Sequence, residues 1–226
     1  MCDFIKPTLK LANQQTPVII EFMNNSNLIS NHSKEFIDGT KNYKTFGESG
    51  YLNCMDHLKK YITEINDYPK KGIVFKDLNP IYKEPKIWKE LMFPLQNLIS
   101  TKKPDYIAGI ESRGFISASA LAFKLEIGLI TIRKPNKLPG EVIGTNYKLE
   151  YGEDRLEIQQ NIIEKDRKIL LFDDLLATGG TAGAAGNLIK KAGGNLIGYA
   201  FLVELTELKG RKNLDSNLFV ETLIKY

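Results

Sequence analysis

Asp173 and Asp174 stand side by side in the run LLFDDLLATGGTAGA, Leu170 to Ala184, just ahead of Ala177, Thr178, Gly179, Gly180 and Thr181. The two halves of this run ask for opposite ligands. Carboxylates accept hydrogen bonds from hydroxyls or neighbour a cation, and they repel phosphate. A glycine turn entering a helix offers free N–H groups and the positive end of a dipole, which attract phosphate. Thr178 and Thr181 add hydroxyls, and Gly179 and Gly180 allow close approach and a positive φ. A ribose 5-phosphate satisfies both halves, its phosphate on the loop and its ring hydroxyls on the acids. The plain structural alternative makes the acids turn or capping residues and the glycines packing devices. The common nucleotide loops are excluded, because neither G-x-x-x-x-G-K-[ST] nor G-x-G-x-x-G after a strand occurs.

Other clusters carry compatible chemistry. Glu111, Ser112 and Arg113, in ESRGF, fall between a strand end and a helix start, where an anion is again welcome and Arg113 can fork onto phosphate oxygens. Arg133, Lys134 and Lys137 concentrate positive charge in a loop with two prolines and a glycine. Glu150 and Tyr151 end the strand-like run YKLEY, which with RLEIQ flanks Gly152 in what should be a flap.

The elements that must position these groups alternate. Met55, Leu58, Ile62 and Ile65 predict a helix with Asn53 as its cap. A short strand is expected around Ile73 to Phe75, between loops. A second helix spans about Ile87 to Ile99, where Pro94 should kink or interrupt it. Strands follow at Tyr106 to Ile110, Leu129 to Arg133 and Lys168 to Phe172, with a helix from Phe115 to Leu125. A small-residue helix from Thr181 to Ala192 stops at Gly193 and Gly194. NLIGYAFLVEL and LFVETLIKY close the pattern as strands. KILLF is apolar throughout, as expected of a strand buried on both faces, so the class is α/β with a mostly parallel sheet. The acids then fall at a strand's carboxyl end, where open α/β sheets bind ligands.

The chain has 226 residues, enough for one sizeable core and an appendage. Residues 1–52 are Asn-rich with one strand-like run, Val18 to Phe22, and read as a partly ordered extension; residues 53–226 form the domain. No apolar run approaches the roughly 20 residues that cross a bilayer. The beginning resembles neither a secretory signal nor a presequence, with no arginine before Arg113. A cytoplasmic location without membrane association is expected. Cys2 and Cys54 exclude a disulfide framework and a thiolate zinc cluster. His32 and His57 lie away from every glycine-rich or acidic cluster, which argues against a Ser-His-Asp hydrolase. The net charge of +4 is too small and dispersed to imply nucleic acid, and suits anionic small ligands.

LLFDDLLATGGT resembles the phosphoribosyl-pyrophosphate (PRPP) signature of type I phosphoribosyltransferases, in detail that of the adenine-specific branch. DYPKKGIVFKDLNPIY, IAGIESRGF, IRKPNKLPG, YKLEYGEDRLEI and VELTELKGR follow the same family's order from about residue 54 onward. The resemblance implies a parallel central sheet flanked by helices, a small hood and a flexible flap. It implies transfer of phosphoribosyl from PRPP to adenine, giving AMP and pyrophosphate, with Mg²⁺ held mainly by PRPP near Asp173 and Asp174.

The implied roles follow the motifs. Ala177 to Thr181 bind the 5′-phosphate, and Asp173 and Asp174 the ribose hydroxyls. Glu111, Ser112 and Arg113 hold pyrophosphate, with Arg113 counted as catalytic, and Glu111 replaces an acid that is often Asp. Arg133 and Lys137 reach PRPP, Arg133 across the boundary of a homodimer. Glu150 on the flap hydrogen-bonds adenine and handles its proton, with Tyr151 beside it. Val74, Phe75 and Leu175 sandwich the base. Lys76 stands where arginine is common, which is harmless only if that position acts through its main chain.

Hypoxanthine-guanine relatives carry Glu-Asp and an Asp-Thr-Gly core, and uracil relatives a Pro after the first Asp; DDLLATGGT disfavours both. A PRPP-sensing regulator that binds nucleic acid is the rival from another class. Glu150 and the small charge excess argue against it.

Overall fold

Ile169 to Phe172 are fully buried and form the middle of a parallel sheet. The computed structural model describes residues 55–149 and 152–226, within a unit spanning Gly47–Tyr226. A 3-10 turn, Met55–Tyr61, leads to β1 (Thr63–Ile65) and β2 (Phe75–Asp77), an antiparallel pair. Short α1 (Asn79–Lys83) and long α2 (Pro85–Lys102) come next. They are followed by β3 (Tyr106–Ile110), α3 (Gly114–Leu125) and β4 (Gly128–Ile132). A separate antiparallel hairpin, β5 (Val142–Leu149) and β6 (Gly152–Gln159), precedes β7 (Lys168–Leu176). The chain continues through α4 (Gly180–Lys191), β8 (Asn195–Glu204), two 3-10 turns (Thr206–Leu208, Gly210–Asn213) and β9 (Phe219–Lys225).

The five-stranded sheet runs β4-β3-β7-β8-β9 and is parallel throughout. Side chains alternate across it, as strand geometry requires. Leu170 and Phe172 join a core with Leu91, Leu95, Ile99 and Leu121, from α2 and α3. Ile169 and Leu171 join another with Leu188 and Ile189 of α4 and Leu156 and Ile158 of β6. Each apolar layer buries the stripe of the helix above it.

β7 outruns the expected KILLF strand. It pairs with β3 only as far as Phe172, opposite Gly109, but stays paired with β8 to Leu176, opposite Glu204. Asp173 and Asp174 therefore lie within the strand, bordered by β8 alone, and a crevice opens at the sheet's carboxyl edge.

Other boundaries differ from expectation for identifiable reasons. The predicted first helix coils only from Met55 to Tyr61 and as a 3-10 turn. That turn brings i and i+3 into line and buries Met55 with Leu58, whereas Ile65 is exposed and pairs with Phe75 in β1–β2. Asn53 and the extension 1–52 lie outside the described residues. α2 runs unbroken through Pro94, its Leu91, Leu95 and Ile99 all buried, so packing outweighs one missing donor. The hairpin strands are longer than YKLEY and RLEIQ. Gly144 leaves space for the Arg155 guanidinium, since a Cβ there would sit 2.0 Å from it. α1 occupies part of an expected loop, with Pro80 in its first turn.

Candidate active site

The acid pair is built where β7 loses its neighbour. Arg113 Nε lies 2.6 Å from Asp174 Oδ2, an ion pair off the hydrogen-bonding direction. The Asp174 amide donates to Asp173 Oδ1 at 2.9 Å. Burial pushes both carboxyls upward; the charge of Asp174 raises Asp173 further, while Arg113 moderates Asp174. The site thus holds a proton at Asp173 more readily than an exposed acid would. A Cβ on Gly114 would stand 2.7 Å from Asp173 Oδ1, so only glycine lets α3 begin against this strand.

Glu111, Ser112 and Arg113 link β3 to α3, and the Glu111–Ser112 peptide is cis. With Asp173, Asp174 and Thr181 they line a cavity of about 260 Å³, completed by Lys134, Tyr147 and Asp154. Glu111 accepts from Arg133 Nε at 3.2 Å and Nη2 at 3.3 Å, and from the Lys134 amide at 2.9 Å. Burial raises its carboxyl, but the Lys134 amide and the Arg133 guanidinium together hold it below the ordinary range. Arg133 also donates to the Lys137 carbonyl at 3.0 Å. Within this chain Arg133 shapes its own loop, and Lys137 is exposed. Neither side chain lines the cavities described here.

The glycine turn has a definite shape. Gly179 caps α4 at φ 80°, and a Cβ there would meet the Gly210 carbonyl oxygen at 2.1 Å. The positive φ serves tight packing as well as leaving the first α4 amides for a ligand. Gly180 begins the helix, Thr181 faces both cavities, and Ala177 and Thr178 line the larger one.

That larger cavity, about 920 Å³, has a mainly apolar wall. Val74, Phe75 and Leu175 line it, with Arg113, Leu208 and Tyr226. The Arg113 guanidinium lies 4.6 Å from the Phe75 ring centroid and donates to the Lys76 carbonyl at 3.4 Å. The buried Lys76 ammonium pairs with Glu64 and lies 4.0 Å over the Tyr226 ring. Its main chain faces Arg113 while its side chain is spent elsewhere. The cavities share Arg113 and Thr181, so a polar compartment adjoins an apolar slot.

Glu150 and Tyr151 lie outside the described residues. Lys134 was legible only as loop charge, and Tyr147 and Asp154 only as members of the YKLEYGEDRLEI motif, with no role assigned to either. Lys134 Nζ pairs with Asp154 and lies 3.1 Å from the Tyr147 hydroxyl, which Thr181 approaches at 3.4 Å. The Tyr82 phenol is raised by burial and then by the charge of Asp174, and its buried hydroxyl has no hydrogen-bond partner among the described residues. Its position in α1 gave no hint of this in the sequence.

A parallel sheet with paired acids at a strand's carboxyl end, a glycine-capped helix start behind them and an apolar slot alongside can hold a sugar phosphate next to a planar apolar group. The model of the phosphoribosyl transferase domain matches residues 77–223, and the chain belongs to the phosphoribosyltransferase family. Its likenesses fall in the adenine branch. The adenine phosphoribosyltransferase of a Prochlorococcus marinus strain is 98% identical over 172 residues, 76% of this chain and 100% of that protein. The solved enzyme of Thermoanaerobacter pseudethanolicus is 42% identical with a TM-score of 0.74, covering 76% of this chain and 99% of that one. The Saccharomyces cerevisiae enzyme, solved with an imino-altritol bisphosphate and adenine, is 40% identical with a TM-score of 0.69. It covers 74% of this chain and 96% of its own.

Proposed function

We infer that the protein transfers the phosphoribosyl group of PRPP to adenine, forming AMP and releasing pyrophosphate. The carrying observation is the shared wall: Arg113 and Thr181 join a polar cavity holding Asp173 and Asp174 to an apolar slot floored by Phe75. Ribose 5-phosphate fits the junction. Its phosphate takes the amides and hydroxyls of Ala177 to Thr181, and its hydroxyls donate to the acids. Pyrophosphate lies toward Ser112, Arg113 and Lys134, and adenine enters between Phe75 and Leu175.

N9 of adenine then bonds to C1′ while the C1′–O bond to pyrophosphate breaks, its electron pair leaving with pyrophosphate. The N9 proton passes to Glu150. Arg113 and Lys134 steady the charge on the leaving group, and the carboxylates face the oxocarbenium-like sugar. The residues fit Mg²⁺ held mainly by PRPP: the adjacent carboxyls of Asp173 and Asp174 in the polar cavity supply negative charge and oxygen atoms beside such an ion. Bound there, the ion would neutralise the departing pyrophosphate.

Residues 1–52 are read as an extension to the catalytic domain 53–226. None of the described helices is long and apolar enough to cross a membrane, and the cytoplasm is the proposed location. Phe123, 88% exposed on α3, with exposed Ile116 and Leu129 nearby, supports pairing with a second copy. Light scattering tests that assembly. Labelled adenine, PRPP and Mg²⁺ test the reaction: AMP formation is expected, and none from folded protein would refute it. Nucleic acid is given no role; salt-sensitive DNA or RNA binding without turnover would support the regulator reading.

A further inference from the structure

Outside the contacts a substrate would make, one group of residues fixes the shape of the phosphate loop. The segment Thr206 to Leu214 runs along the back of Ala177 to Gly183 at backbone-to-backbone distance. A Cβ on Gly210 would meet the Ala177 carbonyl oxygen at 2.2 Å, and one on Gly183 would meet the Asn213 carbonyl oxygen at 2.4 Å. Asn213 Nδ2 donates to the Thr178 carbonyl at 2.7 Å. The amides a phosphate would use are therefore positioned from behind by this segment.

The segment is held in turn by one side chain. Arg211 forks onto both carboxylate oxygens of buried Glu204, the last residue of β8, with Nε and Nη2 each at 2.7 Å. It also donates to the Val220 carbonyl at 3.0 Å and Thr222 Oγ1 at 3.3 Å on β9. The Thr222 hydroxyl donates to Glu204 at 2.9 Å, so both carboxylate oxygens are committed. A planar fork sets direction as well as distance, which a lysine cannot do.

We propose that Arg211, fixed by Glu204, is a positioning residue for the phosphate loop, acting through Gly210 and Asn213. The proposal rests on reading Ala177 to Thr181 as the 5′-phosphate site. It separates the substrates by degree: Leu208 of the same segment also lines the larger cavity, but Phe75 and Leu175 stand on β2 and β7, so loss of the brace weakens PRPP recognition more than adenine recognition.

The test uses the full chain and the variants Arg211→Met, Arg211→Lys and Asn213→Ala. Steady-state kinetics give KM for PRPP and for adenine, and calorimetry gives the Kd of ribose 5-phosphate without turnover. Arg211→Met should raise the PRPP KM and the ribose 5-phosphate Kd about tenfold, with the adenine KM within about twofold. Arg211→Lys should recover part of the loss. Asn213→Ala, which removes a single bond from an exposed side chain, should weaken ribose 5-phosphate about threefold. An unchanged Kd in folded Arg211→Met, or equal rises in both KM values, overturns the proposal. If Arg211→Met does not fold, Asn213→Ala decides alone, and an unchanged Kd there overturns it. Failure of the functional reading looks different, since the unaltered protein would then make no AMP.

Discussion

Arg113 Nε stands 2.6 Å from Asp174 Oδ2 while the same guanidinium covers the Phe75 ring at 4.6 Å. One side chain thus touches both an acid of the polar cavity and the aromatic ring of the apolar one.

The acid pair trades stability for reactivity. Burial, then the charge of Asp174, raises the Asp173 carboxyl. A raised acid contributes stability below its unfolded pKa and loses it as pH rises through its folded value. Asp173→Asn, which cannot ionise, should therefore gain stability relative to the parent as pH rises. Its kcat should fall at least ~tenfold. Thermal melts across pH, paired with rates, check both signs; an advantage that does not grow with pH would contradict the raised carboxyl.

Glu111 behaves oppositely. Burial raises it, but the Lys134 amide and Arg133 prevail and hold it low. Its contribution is present above the unfolded pKa and is lost as pH falls through the lowered folded value. Glu111→Gln should cost about 1–2 kcal/mol at pH 7. The deficit should close in strongly acid solution, and melts of both proteins at neutral and acid pH read it directly.

Asp154 occupies Lys134 within the polar cavity. Removing that negative charge should favour a polyanion there. Asp154→Asn is expected to tighten pyrophosphate about threefold, and Lys134→Met to weaken it by ~tenfold or more. Product-inhibition constants measure the effect. Weaker pyrophosphate binding by Asp154→Asn would count against this placement.

The larger cavity separates ring from cation. Phe75→Ala should raise the adenine KM by about tenfold or more. Lys76→Met should leave it within about twofold, because the Lys76 carbonyl that meets Arg113 remains. It should lower the melting temperature by removing the Glu64 contact. A large adenine KM change in Lys76→Met would restore a direct role to the ammonium.

Much of this was legible in the chain because its signals were local. KILLF announced a doubly buried strand, and the acids followed by TGGT announced a strand end and a helix start that line the cavities beside it. Contacts assembled from distant elements left no such trace. Tyr147 and Asp154 sit on a hairpin whose polar alternation resembles any exposed ribbon, and only folding brings them to Lys134. Gly179 invited a reading in terms of phosphate approach, yet its nearest crowding neighbour is Gly210, which no spacing rule connects to it. The four residues Met55, Leu58, Ile62 and Ile65 matched a helix template, but β2 offered Ile65 a partner and pairing won.

Tyr226 lines the larger cavity beneath Lys76, and its carbonyl oxygen accepts from the Thr206 amide at 2.8 Å. Its ring is thus wall and its backbone is fastening, so Tyr226→Ala would widen the cavity without releasing the turn that follows β8.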